Sequence, residues 1–374
     1  MSFNKLYNKA LNKESLSLEE GITLYEHAPV EEILSVANRI RFIHNPGRRV
    51  SWQIDRNVNY TNVCISNCLF CNFHCTLSQK DRSYTVTADE YRTKIDELRR
   101  LGGDQLLLQG GLHPDYDIHF YEKMFHDIKA IDPLLKLNAL GPPEVAHIAR
   151  LSGLSIKETL KRLINAGLDT LPGAGAEILC DRVRKIISPA KPSVSKWVEV
   201  MEEAHKLGLG TTATMVYGHI ETVSERIEHL ILIREIQNKK PAGVPGFRAF
   251  ISWPMQTAGT RLGERFHPAP LTQLEHLKMV AISRIMLCNI PHIQASWLTV
   301  GKSTGTLALH CGADDMGSIM IEENVVSSAG ANNYMNAEEM QETIKAAGFE
   351  PWLRNQDYTP RQVDNLSQEE GPVA

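Results

Sequence analysis

The stretch Asn57-Val-Asn-Tyr-Thr-Asn-Val-Cys64-Ile-Ser-Asn-Cys68-Leu-Phe-Cys71-Asn-Phe73 decides how this chain is read. It opens as a candidate strand over residues 58–63 and runs directly into three cysteines spaced C-x3-C-x2-C. Outward from it, short apolar runs alternate with amphipathic stretches. Further candidate strands lie at 105–109, 136–140, 168–171, 211–217, 247–253, 292–295 and 316–320, which makes eight. Between them a helix-start signal recurs as Thr87-x-x-Glu90, Ser155-x-x-Glu158, Thr222-x-x-Glu225, Thr272-x-x-Glu275 and Asn336-x-x-Glu339. In each, a capping side chain and a glutamate satisfy the first free N–H groups of a helix. Strand and helix therefore alternate, which calls for a parallel sheet. Eight such units over roughly 300 residues predict an α/β fold of the (β/α)8 TIM-barrel type, with chemistry on the loops that follow the strands. A doubly wound open sheet is the runner-up.

The flanks extend this plan. Residues 1–55 read as an N-terminal helical extension, with a capping box at Ser17-x-x-Glu20 and one apolar face through Val30, Ile33, Leu34, Ala37 and Ile40. Residues 56–350 form the barrel, and 351–374 a polar C-terminal tail with Pro360 and Pro372. Of the 374 residues, 43% are hydrophobic and 22% charged, and 40 basic against 44 acidic side chains give a net charge of −4. That balance supplies no basic stripe for nucleic acid. No apolar run exceeds four residues, so membrane insertion is not expected. The first residues lack the apolar core of a secretion signal, and the expected location is the cytoplasm.

Seven cysteines, three of them within eight residues, suit reduced thiols better than a disulfide framework. Thiolates hold iron–sulfur clusters, and a [4Fe–4S] cube with three protein thiolates keeps one iron open. Zinc is the alternative, with His74 or Cys75 as a fourth ligand. Bacterial ferredoxins use a different first gap. The cysteine spacing, Phe70 beside the third cysteine and the place after the first strand resemble the radical S-adenosylmethionine superfamily. That resemblance implies that Cys64, Cys68 and Cys71 bind the cluster and that S-adenosylmethionine sits on the open iron. It also implies that Gln109-Gly110-Gly111, at the end of the second strand, receives the cofactor's methionine part.

The resemblance narrows further. Asn57–Cys64, Gln109-Gly-Gly-Leu-His-Pro114, Gly141-Pro-Pro-Glu144, Gly173-Ala-Gly-Ala-Glu177, Ile187-Ser-Pro189, Thr211 through Thr222 and Gln294-Ala-Ser-Trp297 look like the cyclic dehypoxanthinyl futalosine synthases of menaquinone biosynthesis. Aminofutalosine synthase and the deazaflavin-type F0 synthases are their relatives. Aminofutalosine synthase tends to read Asn-Pro-Thr-Asn where this chain has Asn59-Tyr60-Thr61-Asn62. Asn67, Leu69 and Ala174 depart from the pattern, the last by interrupting a glycine run.

The family reaction removes hydrogen from the ribose C4′ of dehypoxanthine futalosine and closes that carbon onto the benzoate ring. It would draw an electron from a flavodoxin- or ferredoxin-type donor. Ring closure needs a positioned substrate and a base. Tyr217, His219 and Glu221, at the end of the fifth strand, are the catalytic candidates. Glu177 and Arg182 are candidates for the cofactor, Arg248 for the substrate carboxylate, and Trp253 and Trp297 for stacking on the arene. His113, Asn138 and Glu144 lie on strand-end loops with no assigned role.

Overall fold

The computed structural model describes residues 2–361 apart from Val326 and Ala331. The expected tail beyond residue 361 lies outside the described residues. Three helices come first: α1 (Phe3–Leu11), α2 (Leu18–His27) and α3 (Val30–His44). Strands β1 (Arg49–Gln53) and β2 (Asp55–Asn59) follow, then α4 (Ala88–Arg100), β3 (Gln105–Gln109), α5 (Ile118–Ile131) and β4 (Lys136–Ala139). Two helices, α6 (Pro142–Ser152) and α7 (Ile156–Ala166), lead to β5 (Thr170–Leu171), and α8 (Asp181–Ile187) and α9 (Val194–Lys206) lead to β6 (Gly210–Tyr217). Then come α10 (Val223–Lys239), β7 (Gly246–Pro254), α11 (Arg261–Phe266), α12 (Gln273–Met286), β8 (His292–Gln294) and α13 (Trp297–Ala308). β9 (Asp315–Ser318), α14 (Ala337–Ala346) and β10 (Glu350–Leu353) complete the order.

The expected capping boxes form at Ser17, Thr87, Ser155, Thr222, Thr272 and Asn336, each side chain accepting from the backbone N–H of the glutamate three residues on. These local bonds fix where each helix begins. The helices then bury their apolar faces, as α7 does with Leu160 and Leu163.

All strand pairs are parallel, in the order β10-β1-β9-β8-β7-β6-β5-β4-β3-β2. β1 and β2 are separated by Ile54 alone, so β1, next to β10 at one end of this order, and β2, at the other end, are halves of one chain stretch. Its first half pairs with β9 and its second with β3, and Ile319 N and Ile321 N donate to Gln53 O and Asp55 O at 3.1 Å. The sheet thus curls round until it meets itself, which is the TIM-like α/β fold expected.

Two strands differ from the sequence reading. β1 falls inside the stretch read as helical, and β10 falls inside the stretch read as tail. β1 alternates Val50, Trp52 and Ile54 with Ser51 and Gln53, a period of two that marks a strand. β10 pairs with β1, and the chain beyond it crosses the N-terminal end of the barrel. There Arg354 Nη2 bonds Asp315 Oδ2 at 2.7 Å, and Tyr358 stacks on His292 at 3.7 Å. The opposite end, beyond the strand C-termini, is left to the long loops. No helix among the described residues is long and apolar enough to cross a membrane.

Candidate active site

The cysteines follow β2 at the C-terminal end of the barrel, on a loop tied to its surroundings through the backbone. Cys64 N donates to Cys75 O at 3.0 Å, Ile65 N to Leu112 O at 3.0 Å and Leu69 N to Ile187 O at 2.8 Å. Asn67 turns the loop in the left-handed region at φ 49°, and Arg261 Nη2 binds Asn67 O at 2.8 Å and Cys68 O at 3.1 Å. Cys64, Cys68 and Cys71 are free thiols, Cys68 buried and the other two half-buried. Burial pushes the Cys64 thiol up and the Cys68 thiol to about 11. At Cys71 burial acts the same way, but bonds from His74 overcome it and leave that thiol below its ordinary value.

These residues fit an iron–sulfur cube better than a zinc ion. Cys75 turns its sulfur onto Asn62 Oδ1 at 3.3 Å, and both ring nitrogens of His74 are engaged, with Cys71 O at 2.8 Å and Asn67 Oδ1 at 3.2 Å. Neither residue is thus available as a fourth ligand. Among the described residues no three His, Cys, Asp or Glu side chains converge on a single metal ion. A mononuclear zinc site needs four such ligands. Three thiols with no fourth match a [4Fe–4S] cluster that keeps one iron open.

The turn after β3 packs against this loop. Gly111 N donates to Thr61 O at 2.8 Å, and a Cβ on Gly111 would lie 2.1 Å from Val63 O. Gly110 is as crowded, since its Cβ would meet the Tyr60 ring at 2.7 Å. Only glycine permits so close an approach. Gln109 O accepts from Asn59 Nδ2 at 3.2 Å. Behind the turn stands Glu144, whose Oε1 accepts from Gly110 N at 3.0 Å and from the Tyr60 hydroxyl at 3.1 Å.

After β5 the chain carries a buried charge cluster. Glu177, itself left-handed at φ 41°, accepts from Lys191 Nζ at 2.6 Å and from Arg184 Nη1 at 3.3 Å. Burial raises its acid, but Lys191 and Arg184 prevail and hold it below the usual carboxylate range. Lys191 also lies over the Phe70 ring at 5.4 Å, which places a cation beside the cysteine loop. The sequence reading missed Lys191, because nothing in a Pro-rich loop marks one lysine from its neighbours. Arg182 is placed elsewhere: it forms a two-pronged pair with Glu225 at 2.7 Å and caps Ile220 O. Two residues on in α8, Arg184 is the arginine that meets Glu177.

The three catalytic candidates separate. Glu221 accepts from Gly218 N at 2.6 Å, His219 N at 2.9 Å, and Arg226 Nε at 2.8 Å and Nη2 at 2.7 Å. Burial raises its acid, but His219 and Arg226 outweigh that and lower it. A carboxylate held by four donors is a poor proton acceptor. His219 pairs through Nε2 with Val216 O at 3.0 Å, and its Nδ1 is buried without a hydrogen bond, 3.2 Å from Glu221 Oε2. Tyr217 turns into the helix layer, where its hydroxyl bonds His276 Nδ1 of α12 at 2.9 Å and Arg226 of α10, the arginine that binds Glu221, covers its ring. Strand alternation sends it there: Thr211, also odd-numbered in β6, bonds His205 of α9.

The substrate candidates also divide. Arg248 is the third residue of β7, so it sits at the N-terminal end of the barrel, where its Nη1 binds Asp357 O at 2.8 Å. A parallel strand cannot present its first residues to loops at its far end, and Arg248 is removed from the site. Trp297 is 2% exposed and donates to Ser318 O at 3.2 Å, as a core residue does. Trp253 alone keeps the expected position. Phe250 faces His229 of α10, so Ile251 and Trp253 face inward, and Trp253 is half-buried one residue from the end of β7.

Comparison with known proteins agrees with this geometry. Residues 58–233 match the Radical SAM superfamily, and residues 244–366 match the CofH/MqnC C-terminal region. A cyclic dehypoxanthine futalosine synthase of Streptomyces coelicolor is 44% identical over 91% of this chain and 84% of its own length. Another, of Halalkalibacterium halodurans, is 39% identical over 96% and 95%. A 5-amino-6-(D-ribitylamino)uracil--L-tyrosine 4-hydroxyphenyl transferase of Archaeoglobus fulgidus is 39% identical over 83% and 89%. In fold, the crystal structure of methylornithine synthase (PylB) superposes with a TM-score of 0.70 at 18% identity, covering 92% of this chain and 97% of that one. From cysteine loop to barrel, the chain belongs to the radical S-adenosylmethionine superfamily of enzymes, in the branch that holds the cyclic dehypoxanthine futalosine synthases and their 4-hydroxyphenyl transferase relatives.

Proposed function

We propose that this enzyme converts dehypoxanthine futalosine to its cyclic form, a step toward menaquinone. The observation that carries the reading is the pair of cyclase relatives, the more similar at 44% identity, against 39% for the transferase of Archaeoglobus fulgidus. Cys64, Cys68 and Cys71 would hold the cluster, and Gln109-Gly110-Gly111 and Glu177 would meet S-adenosylmethionine. When bound, these groups supply a 5′-deoxyadenosyl radical able to take hydrogen from an unactivated carbon.

The protein's own share is positional. Trp253 offers an aromatic face near the end of β7 against which the benzoate ring can lie. Holding the ribose carbon against that ring converts ring closure into a preorganised intramolecular event. Closure forms one carbon–carbon bond and releases the arene hydrogen as a proton and an electron, which the oxidised form of the one-electron carrier that starts the cycle would take back. His219 Nδ1, buried 3.2 Å from Glu221 Oε2, is the acceptor we assign to the proton, with Glu221 oriented to favour the charged imidazole. The electron that starts the cycle would come from a small flavodoxin- or ferredoxin-type carrier.

Incubation of the anaerobically reconstituted protein with dehypoxanthine futalosine, and separately with tyrosine plus 5-amino-6-(D-ribitylamino)uracil, tests the assignment. A product two hydrogens lighter than dehypoxanthine futalosine supports it. Product only from the second mixture would reassign the chain to the transferases.

A further inference from the structure

We propose that Glu144 is a positioning residue, which holds the Gly110-Gly111 turn in the shape that receives S-adenosylmethionine and adjusts the cofactor's affinity with pH. The proposal rests on the radical S-adenosylmethionine reading of the site. Both peptide N–H groups of the turn are pinned, Gly110 by Glu144 Oε1 at 3.0 Å and Gly111 by Thr61 O at 2.8 Å. Among the described residues neither glycine carbonyl accepts a hydrogen bond, so both remain to take a donor from a ligand. The Tyr60 ring closes the other side of Gly110 and its hydroxyl returns to the same carboxylate oxygen at 3.1 Å. Glutamate, tyrosine and glycine thus form one closed clamp.

The clamp is titratable. Glu144 is buried, and its acid is raised to about 7, by burial against the pull of Gly110, Tyr60 and Lys191. The titratable groups that face it are Tyr60 after β2, Tyr121 of α5, which bonds the Tyr60 hydroxyl at 3.4 Å, and Lys191 from the loop between α8 and α9. Tyr60 and Tyr121 are both pushed up by burial, so neither ionises near neutrality. Lys191 is pushed up by Glu177 against its own burial and stays a cation. Within this group only Glu144 changes charge around neutral pH. Ionised, it accepts a charge-assisted bond from Gly110, about twice as strong as a neutral one, and adds a negative charge that favours a sulfonium ligand.

The test is a titration of S-adenosylmethionine into the reduced, cluster-loaded protein, followed by the change in the cluster's electron paramagnetic resonance signal, at about pH 6 and about pH 8. Glu144→Gln is expected to bind roughly fivefold more weakly than the wild type at the higher pH, the ratio for about 1 kcal/mol, and equally at the lower. Tyr60→Phe removes a donor that favours the ionised carboxylate, so it is expected to move the wild-type transition to higher pH. It also keeps the test open should the Gln variant not fold. Parallel affinities for wild type and Glu144→Gln at both pH values would overturn the proposal. A wild-type protein that binds no S-adenosylmethionine would overturn the reading beneath it as well.

Discussion

Buried carboxylates make the sharpest claims at the scale of single residues. The Glu144 acid is raised from 4.5 to about 7, by burial foremost, so the folded chain holds this proton more tightly than the unfolded chain. Its contribution to stability is therefore complete below about pH 4.5 and is lost as the pH rises through about 7. At ~1.4 kcal/mol per pH unit, the loss over that window is about 3 kcal/mol. Urea unfolding at several pH values should show it in the wild type and not in Glu144→Gln, which carries no charge to bury. Arg248 supplies the opposite kind of prediction. Its guanidinium serves the barrel's N-terminal end, so Arg248→Ala should leave KM for substrate unchanged while lowering the unfolding midpoint. The three cysteines stand out in the sequence by their spacing and their place after a strand, because all three lie on one short loop. Lys191 does not, because it reaches Glu177 only after two helix-linked turns of the chain bring them together.

Among elements, the helix starts fixed by local bonds and the eight strands between them were readable, and only β1 and β10 of the sheet were not. Six helix starts follow from a side chain and a glutamate three residues apart, and all six form. β1 and β10 pair across some 300 residues of chain; β1 carries a strand's alternation but directly follows a helical stretch, and β10 is too short and polar to stand out. Tyr217 shows the same limit within one strand. Its place at the end of β6 was right, but the face it presents depends on the strand's alternation against α10 and α12. The loop after β3 carries the prediction at this scale. A Cβ on Gly111 would overlap backbone at 2.1 Å, so the turn and the cysteine loop would have to part. Gly111→Ala should fold, since the clash lies in loops, yet retain well under half the wild-type iron after reconstitution, as measured by iron assay.

For the molecule as a whole, one end of the barrel is built for stability and the other for chemistry. At the N-terminal end, Asp315 is fully buried and accepts from Arg354, Tyr358 and Gly317 N. Removing one member of such a pair leaves an unpaired buried charge, at a cost of about 3–5 kcal/mol. Arg354→Ala should lower the unfolding free energy by that amount, and Arg354→Ala with Asp315→Ala by less than the sum of the singles. At the C-terminal end the cysteine loop, the glycine turn and the Glu177–Lys191 pair come from three different strand-end loops and Trp253 from the end of a fourth strand, β7, which the curled sheet gathers together. Every part of the functional reading depends on a cluster held at three corners and open at the fourth. Electron–nuclear double resonance on the reduced, reconstituted protein, with S-adenosylmethionine labelled at its amino nitrogen, examines that corner directly. The account predicts a coupling from the labelled nitrogen to the cluster. Contradiction would be a cluster that ignores the label and shows instead a permanent coupling to a histidine nitrogen of the protein.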